Sequence, residues 1–225
     1  MPLFPARPVP LLPTDRGDYP IHRIFCVGRN YAAHAAEMGN EVDREAPFYF
    51  MKDARAYAPA GARLRFPPGT RALHHEVELV VALGAEAFEA DPARARAAIW
   101  GYGCGLDMTR RDLQAEAKEK RRSWDLAKNF EESAILGPLL HRDEVGDLGD
   151  REIFLSVNGE TRQSAPLSEM IWGVTELIAH LSRFYHLAPG DLIMTGTPAG
   201  VGPVRPGDRL EGGVEGLAGL SVGYD

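Results

Sequence analysis

The stretch LHHEVELVVAL, residues 73 to 83, decides how the chain is read. Val77, Leu79, Val81 and Leu83 alternate with His74, Glu76, Glu78 and Val80, so a period of two puts the first set on one face and both glutamates on the other. On a helix, Glu76 and Glu78 would stand about 200° apart and could not converge on one ligand. The run is therefore expected as a buried strand whose two carboxylates point the same way. Side by side, two carboxylates repel unless a cation, a proton or water lies between them.

Around this strand, 225 residues with 44% hydrophobic content suffice for a large core. One domain over residues 21–225 is expected, preceded by an extended arm over 1–20. The formal net charge is -7, and no run of lysines and arginines is interleaved with aromatics, which argues against a nucleic-acid partner. The densest basic run, KEKRR at 118–122, reads as a solvated helix end. No apolar run approaches the roughly 18 residues of a membrane span. The proline-interrupted opening MPLFPARPVPLLPTDRGDYP lacks the layout of a signal peptide. Cys26 and Cys104 lie in apolar contexts without C-x-x-C spacing, which fits a reducing compartment. A cytoplasmic protein without membrane contact is expected.

Further elements follow from periodicity and punctuation. Leu3, Phe4, Leu11 and Leu12 are expected to hold the arm on the body. RIFCVG (23–28) reads as a short buried strand, after which Asn30 caps a helix, YAAHAAEM, that Gly39 ends. Glycines and prolines between Ala58 and Gly69 mark short strands joined by turns. A helix over 91–99 leads into AIWGYGCGLD, a strand whose glycines admit another backbone. Thr109 with Asp112 resembles a capping box, aspartate replacing the usual glutamate, at the head of the helix bearing RRDLQAEAKEK. FLSVNGETRQ reads as a hairpin turning at Asn158-Gly159. Ile171, Val174, Leu177, Ile178, Leu181 and Phe184 recur at helical spacing as a core stripe. The sum is a β-rich α/β protein of the α+β kind.

Glu76, Glu78 and Asp107, the last at a strand end, form an all-oxygen set that selects Mg²⁺, Mn²⁺ or Ca²⁺ over zinc. HHEVE is not H-E-x-x-H, so a zinc-protease reading fails on spacing. In the alternative, the glutamates line the wet face of an edge strand and Asp107 caps a turn. His34 and Glu37 stand at i, i+3 on one helical face, where a carboxylate holds an imidazole in one tautomer and frees its other nitrogen to take a proton from water. Plain surface helices carry the same spacing. His22, His141, His180 and His186 show no partner pattern. Lys128, in WDLAKNF, has apolar neighbours that either lower its pKa or let its stem snorkel. TGTPAGVG (195–202) is a glycine-rich loop able to bring hydroxyl and N–H groups to an anion, though it lacks the G-K-[ST] of a P-loop and also reads as a plain connection.

Six motifs occur in order between about Ile24 and Val222: VGRNYAAHAAEMG, HHEVELVVALG, GYGCGLDMTRRDLQ, WDLAKNF, VNGETRQ and GDLIMTGTPAGVGPV. In these the chain resembles the fumarylacetoacetate hydrolase family. The resemblance implies a rolled mixed β-sheet with flanking helices, a homodimer, and a Mg²⁺ or Mn²⁺ site with ligands at Glu76, Glu78 and Asp107. It further implies that His34 and Glu37 activate water on a segment that closes over substrate, that Lys128 stands beside the metal and that Thr197 belongs to the substrate-binding loop. Arg29, Arg111 and Gln114 match positions near the bound ligand.

The implied chemistry is hydrolysis of a carbon–carbon bond in a 1,3-dicarbonyl acid. The short length, without a separate N-terminal domain, resembles the acylpyruvate-cleaving members. Fumarylpyruvate, split to fumarate and pyruvate in aromatic-acid (gentisate) breakdown, is the expected substrate, with Arg122 reading its far carboxylate. Oxaloacetate decarboxylation, or another acylpyruvase or isomerase activity on related dicarboxylic oxo acids, at the same metal site is the alternative among enzymes, and a metal-stabilised binding protein the alternative outside them. Ser133-Ala134-Ile135 and Glu131 depart from the family pattern and are expected to alter the loop after Lys128 rather than the metal ligands.

Overall fold

In the computed structural model, which describes residues 3–5, 7–37 and 46–225, the apolar runs become the middle of one large mixed sheet. The chain forms a hairpin of β1 (Leu11–Thr14) and β2 (Gly17–Pro20), then β3 (Arg23–Gly28), helix α1 (Ala32–Glu37) and β4 (Phe48–Lys52). Short strands β5 (Tyr57–Pro59), β6 (Arg63–Leu64) and β7 (Leu73–His75) precede the long β8 (Val77–Leu83). Helix α2 (Pro92–Ala98) leads into β9 (Ile99–Asp107), β10 (Thr109–Arg110), α3 (Arg111–Glu119) and α4 (Asp125–Lys128). Next come β11 (Ala134–Leu136), β12 (Leu140–His141), α5 (Arg142–Val145) and the hairpin β13 (Glu152–Val157) and β14 (Glu160–Pro166). Helix α6 (Val174–Leu181) and strands β15 (Asp191–Met194), β16 (Gly202–Val204), β17 (Arg209–Val214) and β18 (Leu220–Tyr224) complete the chain.

The large sheet runs β4-β3-β15-β8-β9-β11-β5, with β12 also on β9. Every residue of β8 is buried between β15 and β9, which removes the edge-strand alternative. Leu79, Val81 and Leu83 pack into a core shared with Ile153, Leu155, Leu210 and Val222 of a second sheet, β14-β13-β17-β18-β6. On the opposite face Val80 and Ala82 meet Leu12, Tyr19, Leu136, Leu192 and Met194. Cover on both faces is why LVVAL is apolar without alternation. The glycines of β9 do admit another backbone: a Cβ at Gly101 would collide with the Leu140 carbonyl. At the expected hairpin, Asn158 (φ 53°) and Gly159 (φ 81°) have the positive angles of a tight two-residue turn.

Several local expectations are corrected. The strand expected over 73–83 breaks at Glu76, because Val77 N–H donates to Gln163 Oε1 and β7 leaves to pair with β10 and β16. The opening is anchored from Leu12 and Tyr19, within the β1–β2 hairpin, whereas Leu3 and Phe4 are exposed. Asn30 ties loops together: its Oδ1 accepts from Trp172 N and its Nδ2 donates to Trp172 O and Thr195 O, which leaves no role as a cap of α1. Gly39 lies outside the described residues. No capping box forms at α3, since Thr109 Oγ1 donates to Asp107 O while Asp112 accepts from Thr70 Oγ1 and Arg71 N. Helix α6 stops at Leu181, so Phe184 falls beyond the core stripe and is 64% exposed, its ring tilted against His180. Among the described residues no helix is long and apolar enough to cross a membrane.

Candidate active site

Strands β8 and β9 set the carboxylates. Glu78 pairs with Gly105 across the ladder, where the partner has no side chain, and Asp107 N–H donates to Glu76 O at 2.8 Å, latching the bend at Glu76 to the end of β9. Glu76, Glu78 and Asp107 are buried and each brings an oxygen within 4.8 Å of the others.

Cations surround this cluster. Lys128 Nζ lies 2.6 Å from Glu76 Oε2 and 2.5 Å from Asp107 Oδ2, and Arg111 Nη2 lies 2.5 Å from Glu76 Oε1. Burial favours the neutral acid, yet the Lys128 and Arg111 charges outweigh it and hold the Glu76 carboxyl well below the usual range. For Lys128, burial favours the neutral amine but Asp107 and Glu76 prevail and raise its pKa, so neither alternative for this lysine holds: it is not acidified, and its ammonium is buried rather than snorkelled. Glu78 is different. Burial first, then the charges of Asp107 and Glu76, push its carboxyl well above the usual range. It accepts Gly196 N–H at 2.7 Å and forms no ion pair among the described residues. Asp107 Oδ1 lies 2.8 Å from Lys52 Nζ but receives no hydrogen in line. An oxygen-only set holding a repelled carboxylate and an under-used oxygen fits a hard divalent cation.

His34 and Glu37 meet as their spacing implies, with Nδ1 3.4 Å from Glu37 Oε2. His34 is buried, which lowers its pKa, while Glu76 and Glu37 pull the other way. The glycine-rich loop reaches both ends of the site. Gly196 N–H serves Glu78 and Gly200 N–H serves Glu37 at 3.1 Å, so the anions it cradles are the protein's own carboxylates. Both glycines need their type. Gly196 has φ +95° with Asn30 Cβ 2.7 Å from where a Cβ would lie, and Gly200 has φ +92° and abuts the Arg162 carbonyl.

Of these groups Glu76, Glu78, Lys128 and His34 line one small pocket, together with Thr197, Gln114, Arg111, Arg29 and Lys118. Gln114 accepts Arg111 Nη1 at 2.6 Å, and the Arg29 guanidinium lies 5.6 Å from the Phe48 ring centre. Arg122 does not line the pocket and is exposed past the end of α3. A wider groove opens by Asn158, Arg162 and Arg205, but Glu76 and Glu78 line the smaller pocket and not this groove.

Residues 23–222 match the fumarylacetoacetate (FAA) hydrolase C-terminal family. The chain belongs to the fumarylacetoacetate hydrolase family. Fumarylpyruvate hydrolase of Ralstonia sp is 46% identical over 187 residues, 82% of this chain and 97% of that protein. The mitochondrial oxaloacetate tautomerase of Homo sapiens is 42% identical over 88% of this chain and 89% of its own. The crystal structure of fumarylpyruvate hydrolase from Pseudomonas aeruginosa in complex with Mn²⁺ and pyruvate aligns with TM-score 0.95 and 44% identity, covering 100% of this chain and 99% of that one.

Within this site, residues that sequence reasoning missed do the supporting. Lys52 closes the apolar run FYFMK, and its ammonium donates to Ser133 Oγ at 3.0 Å, to Met108 O at 3.2 Å and to the Lys128 carbonyl. A lone lysine at the end of an apolar run was the signal. Lys118, read as part of a solvated helix end, lines the pocket with its Nζ 5.2 Å from the Trp124 ring centre. Gln163, 1% exposed, joins the β8 entry to the Thr197 loop.

Proposed function

We propose that this protein is a divalent-metal-dependent hydrolase of the carbon–carbon bond in acylpyruvates, with fumarylpyruvate, cleaved to fumarate and pyruvate, as its substrate. The observation that carries the reading is that Glu76 and Glu78 of the buried carboxylate cluster line the same pocket as His34, whose Nδ1 meets Glu37. Similarity to the two fumarylpyruvate hydrolases supports the choice of acyl group. Mg²⁺ or Mn²⁺ held by Glu76, Glu78 and Asp107 would offer open positions to the carboxylate and oxo oxygens of the pyruvate moiety and draw charge from the reacting chain.

The protein's own groups do the rest. The charges of Glu76, Glu78 and Asp107 are balanced by Lys52, Arg111 and Lys128, so a divalent cation leaves the site positive, as a dianionic substrate requires. Burial keeps His34 neutral, Glu37 accepts its Nδ1–H, and Nε2 takes a proton from water. The water oxygen bonds to the acyl carbonyl carbon. The carbon–carbon bond then breaks with its electron pair passing to the pyruvate fragment, and the proton is returned there. Lys128 brings positive charge to the oxygen on which negative charge grows, and Arg111, Gln114 and Thr197 orient the acid. The far carboxylate, assigned from sequence to Arg122, falls to Lys118 and Arg29, the pocket cations beyond the cluster.

The test is loss of ultraviolet absorbance by fumarylpyruvate, acetylpyruvate and fumarylacetoacetate, with and without Mg²⁺ or Mn²⁺. Rapid, chelator-sensitive loss of fumarylpyruvate, yielding fumarate and pyruvate, is expected. A second reading, oxaloacetate as substrate, is favoured by the relative named oxaloacetate tautomerase. It requires loss of oxaloacetate enol absorbance, or pyruvate release if decarboxylation occurs, with fumarylpyruvate left intact. Silence on all four acids, with Mn²⁺ still raising the melting temperature, would leave a metal-stabilised binding protein. The working form is taken as a homodimer, checked by light scattering. A reducing cytoplasm is supported by the buried free thiols of Cys26 and Cys104, and aromatic-acid breakdown is the setting proposed for a fumarylpyruvate substrate.

A further inference from the structure

We propose that Gln163 is a positioning residue that makes the Thr197 hydroxyl an obligate hydrogen-bond donor to the bound oxo acid. The inference rests on the proposed function, in which Thr197 faces substrate.

The hydrogen-bond pattern fixes the amide. Val77 N–H can only donate, so the Gln163 atom 3.1 Å from it is the carbonyl oxygen. The Pro198 carbonyl can only accept, so the atom 2.9 Å from it is the amide nitrogen. That nitrogen also lies 2.8 Å from Thr197 Oγ1. One of its hydrogens goes to Pro198 O, the other to Thr197 Oγ1, which must accept. The second lone pair of Gln163 Oε1 takes His75 Nδ1–H at 3.0 Å, so the amide has no unused capacity. At 1% exposure it cannot turn over without stranding Val77 N–H and the Pro198 carbonyl.

A threonine hydroxyl carries one hydrogen. With its lone pair engaged by Gln163, and with no donated bond to another described residue, Thr197 directs that hydrogen into the pocket it shares with Glu76, Glu78 and His34. It therefore selects for an anionic or carbonyl oxygen. Because Val77 sits between Glu76 and Glu78, the same amide sets the Thr197 loop against the carboxylate cluster.

Gln163→Glu tests this, since the acid carries at most one hydrogen where two are needed. The Thr197 hydroxyl would turn to a vacated acceptor and withdraw its hydrogen from the pocket. Calorimetry of oxalate, a planar mimic of the pyruvate fragment, on the Mn²⁺-loaded protein reads the effect, and electron paramagnetic resonance reads Mn²⁺ affinity. We expect Gln163→Glu and Thr197→Val each to weaken oxalate about tenfold, the scale of one hydrogen bond to a charged group. The double variant should be no weaker than Thr197→Val, Thr197→Ser should stay near wild type, and Mn²⁺ affinity should hold throughout. Should Gln163→Glu not fold, Gln163→Met enters the same cycle. Additive losses, or oxalate binding untouched by the Gln163 change, would overturn the inference alone. Absence of oxalate binding by the wild-type Mn²⁺ protein would overturn the proposed function and this inference with it.

Discussion

At one end of the pocket Glu76, Glu78 and Asp107 stand on or beside strands of the large sheet, while at the other His34 and Glu37 sit on a six-residue helix whose Ala32, Ala33 and Ala36 face solvent. The first end is held by buried ion pairs to Lys128, Lys52 and Arg111. The second is tied by Gly200 N–H on Glu37 and by Asn30 between the Thr195 and Trp172 carbonyls. Burying like charges costs stability unless counter-charges are fixed in place, and here Lys52 of β4, Arg111 of α3 and Lys128 of α4 supply them. Removing one of these cations should therefore disturb stability, metal affinity and rate together. Changes at the helix end should disturb rate alone.

The hardest blow to this division is Lys128→Ala. It strips the ammonium shared by Glu76 and Asp107, and breaking such a buried pair costs about 3–5 kcal/mol. Urea unfolding without metal should show that loss, Mn²⁺ should recover part of it, and fumarylpyruvate turnover should fall about thousandfold or more. A variant as stable as wild type would mean the cations are ornamental.

Next comes His34→Ala, expected to cut hydrolysis by about 10²–10⁴ while leaving Mn²⁺ affinity and unfolding in urea nearly unchanged. The pH profile sharpens the point. Burial lowers the His34 pKa, so the neutral base survives acidification past the ordinary histidine value near 6.5, and the acid limb of kcat/KM should lie below it. The linked stability has the matching sign: it is present above about pH 6.5 and is lost as pH falls from there toward the folded pKa, because the unfolded chain takes the proton first. An acid limb above pH 6.5 would assign it to another group.

Glu78→Gln separates metal from fold. Without metal the variant should unfold no more readily than wild type, since the amide removes a charge that Asp107 and Glu76 repel. Mn²⁺ at about a hundred times the wild-type Kd should add roughly 2.7 kcal/mol to wild type and almost nothing to the variant. Equal metal stabilisation of both would exclude Glu78 as a ligand.

What could be read in the sequence was whatever is written in short-range pattern. The β8 and β9 runs, the Asn158-Gly159 turn and the His34–Glu37 spacing each carry their signal within a few residues. Illegible were polar groups whose partners come from far along the chain. Asn30 had the residue type of a helix cap, yet its amide serves Trp172 and Thr195. Asp112 had the spacing of a capping box, yet Thr70 and Arg71 claim its oxygens. Lys52 finds its counter-charge on Asp107 at the end of β9, far along the chain, so FYFMK offers only the hint of a lone lysine ending an apolar run and does not name its partner. Local propensity names what a polar side chain can do, and the tertiary fold decides which partner is near enough to collect it.

The smallest effect concerns Lys118, which sits between the two ends and belongs to neither. Arg122 was the nearer guess for a cation on the far carboxylate because it stands beside Ser123-Trp124, but Arg122 and Lys118 are both exposed and it is Lys118, one turn back on α3, that lines the pocket against Trp124. Burial, then the nearby Arg111 and Arg29, lower its pKa, so it stands in a positive region that a second carboxylate would relieve. It touches none of the carboxylate ligands, so Lys118→Met should leave Mn²⁺ affinity, urea unfolding and acetylpyruvate turnover close to wild type. Fumarylpyruvate alone carries the second carboxylate, and its kcat/KM should fall about tenfold, mostly through KM, as expected when one exposed-rim charge contact is lost from both ground and transition states. Arg122→Leu should change neither substrate. If Arg122→Leu shifts the ratio and Lys118→Met does not, the far carboxylate is read by the loop after α3, and the assignment to Lys118 fails.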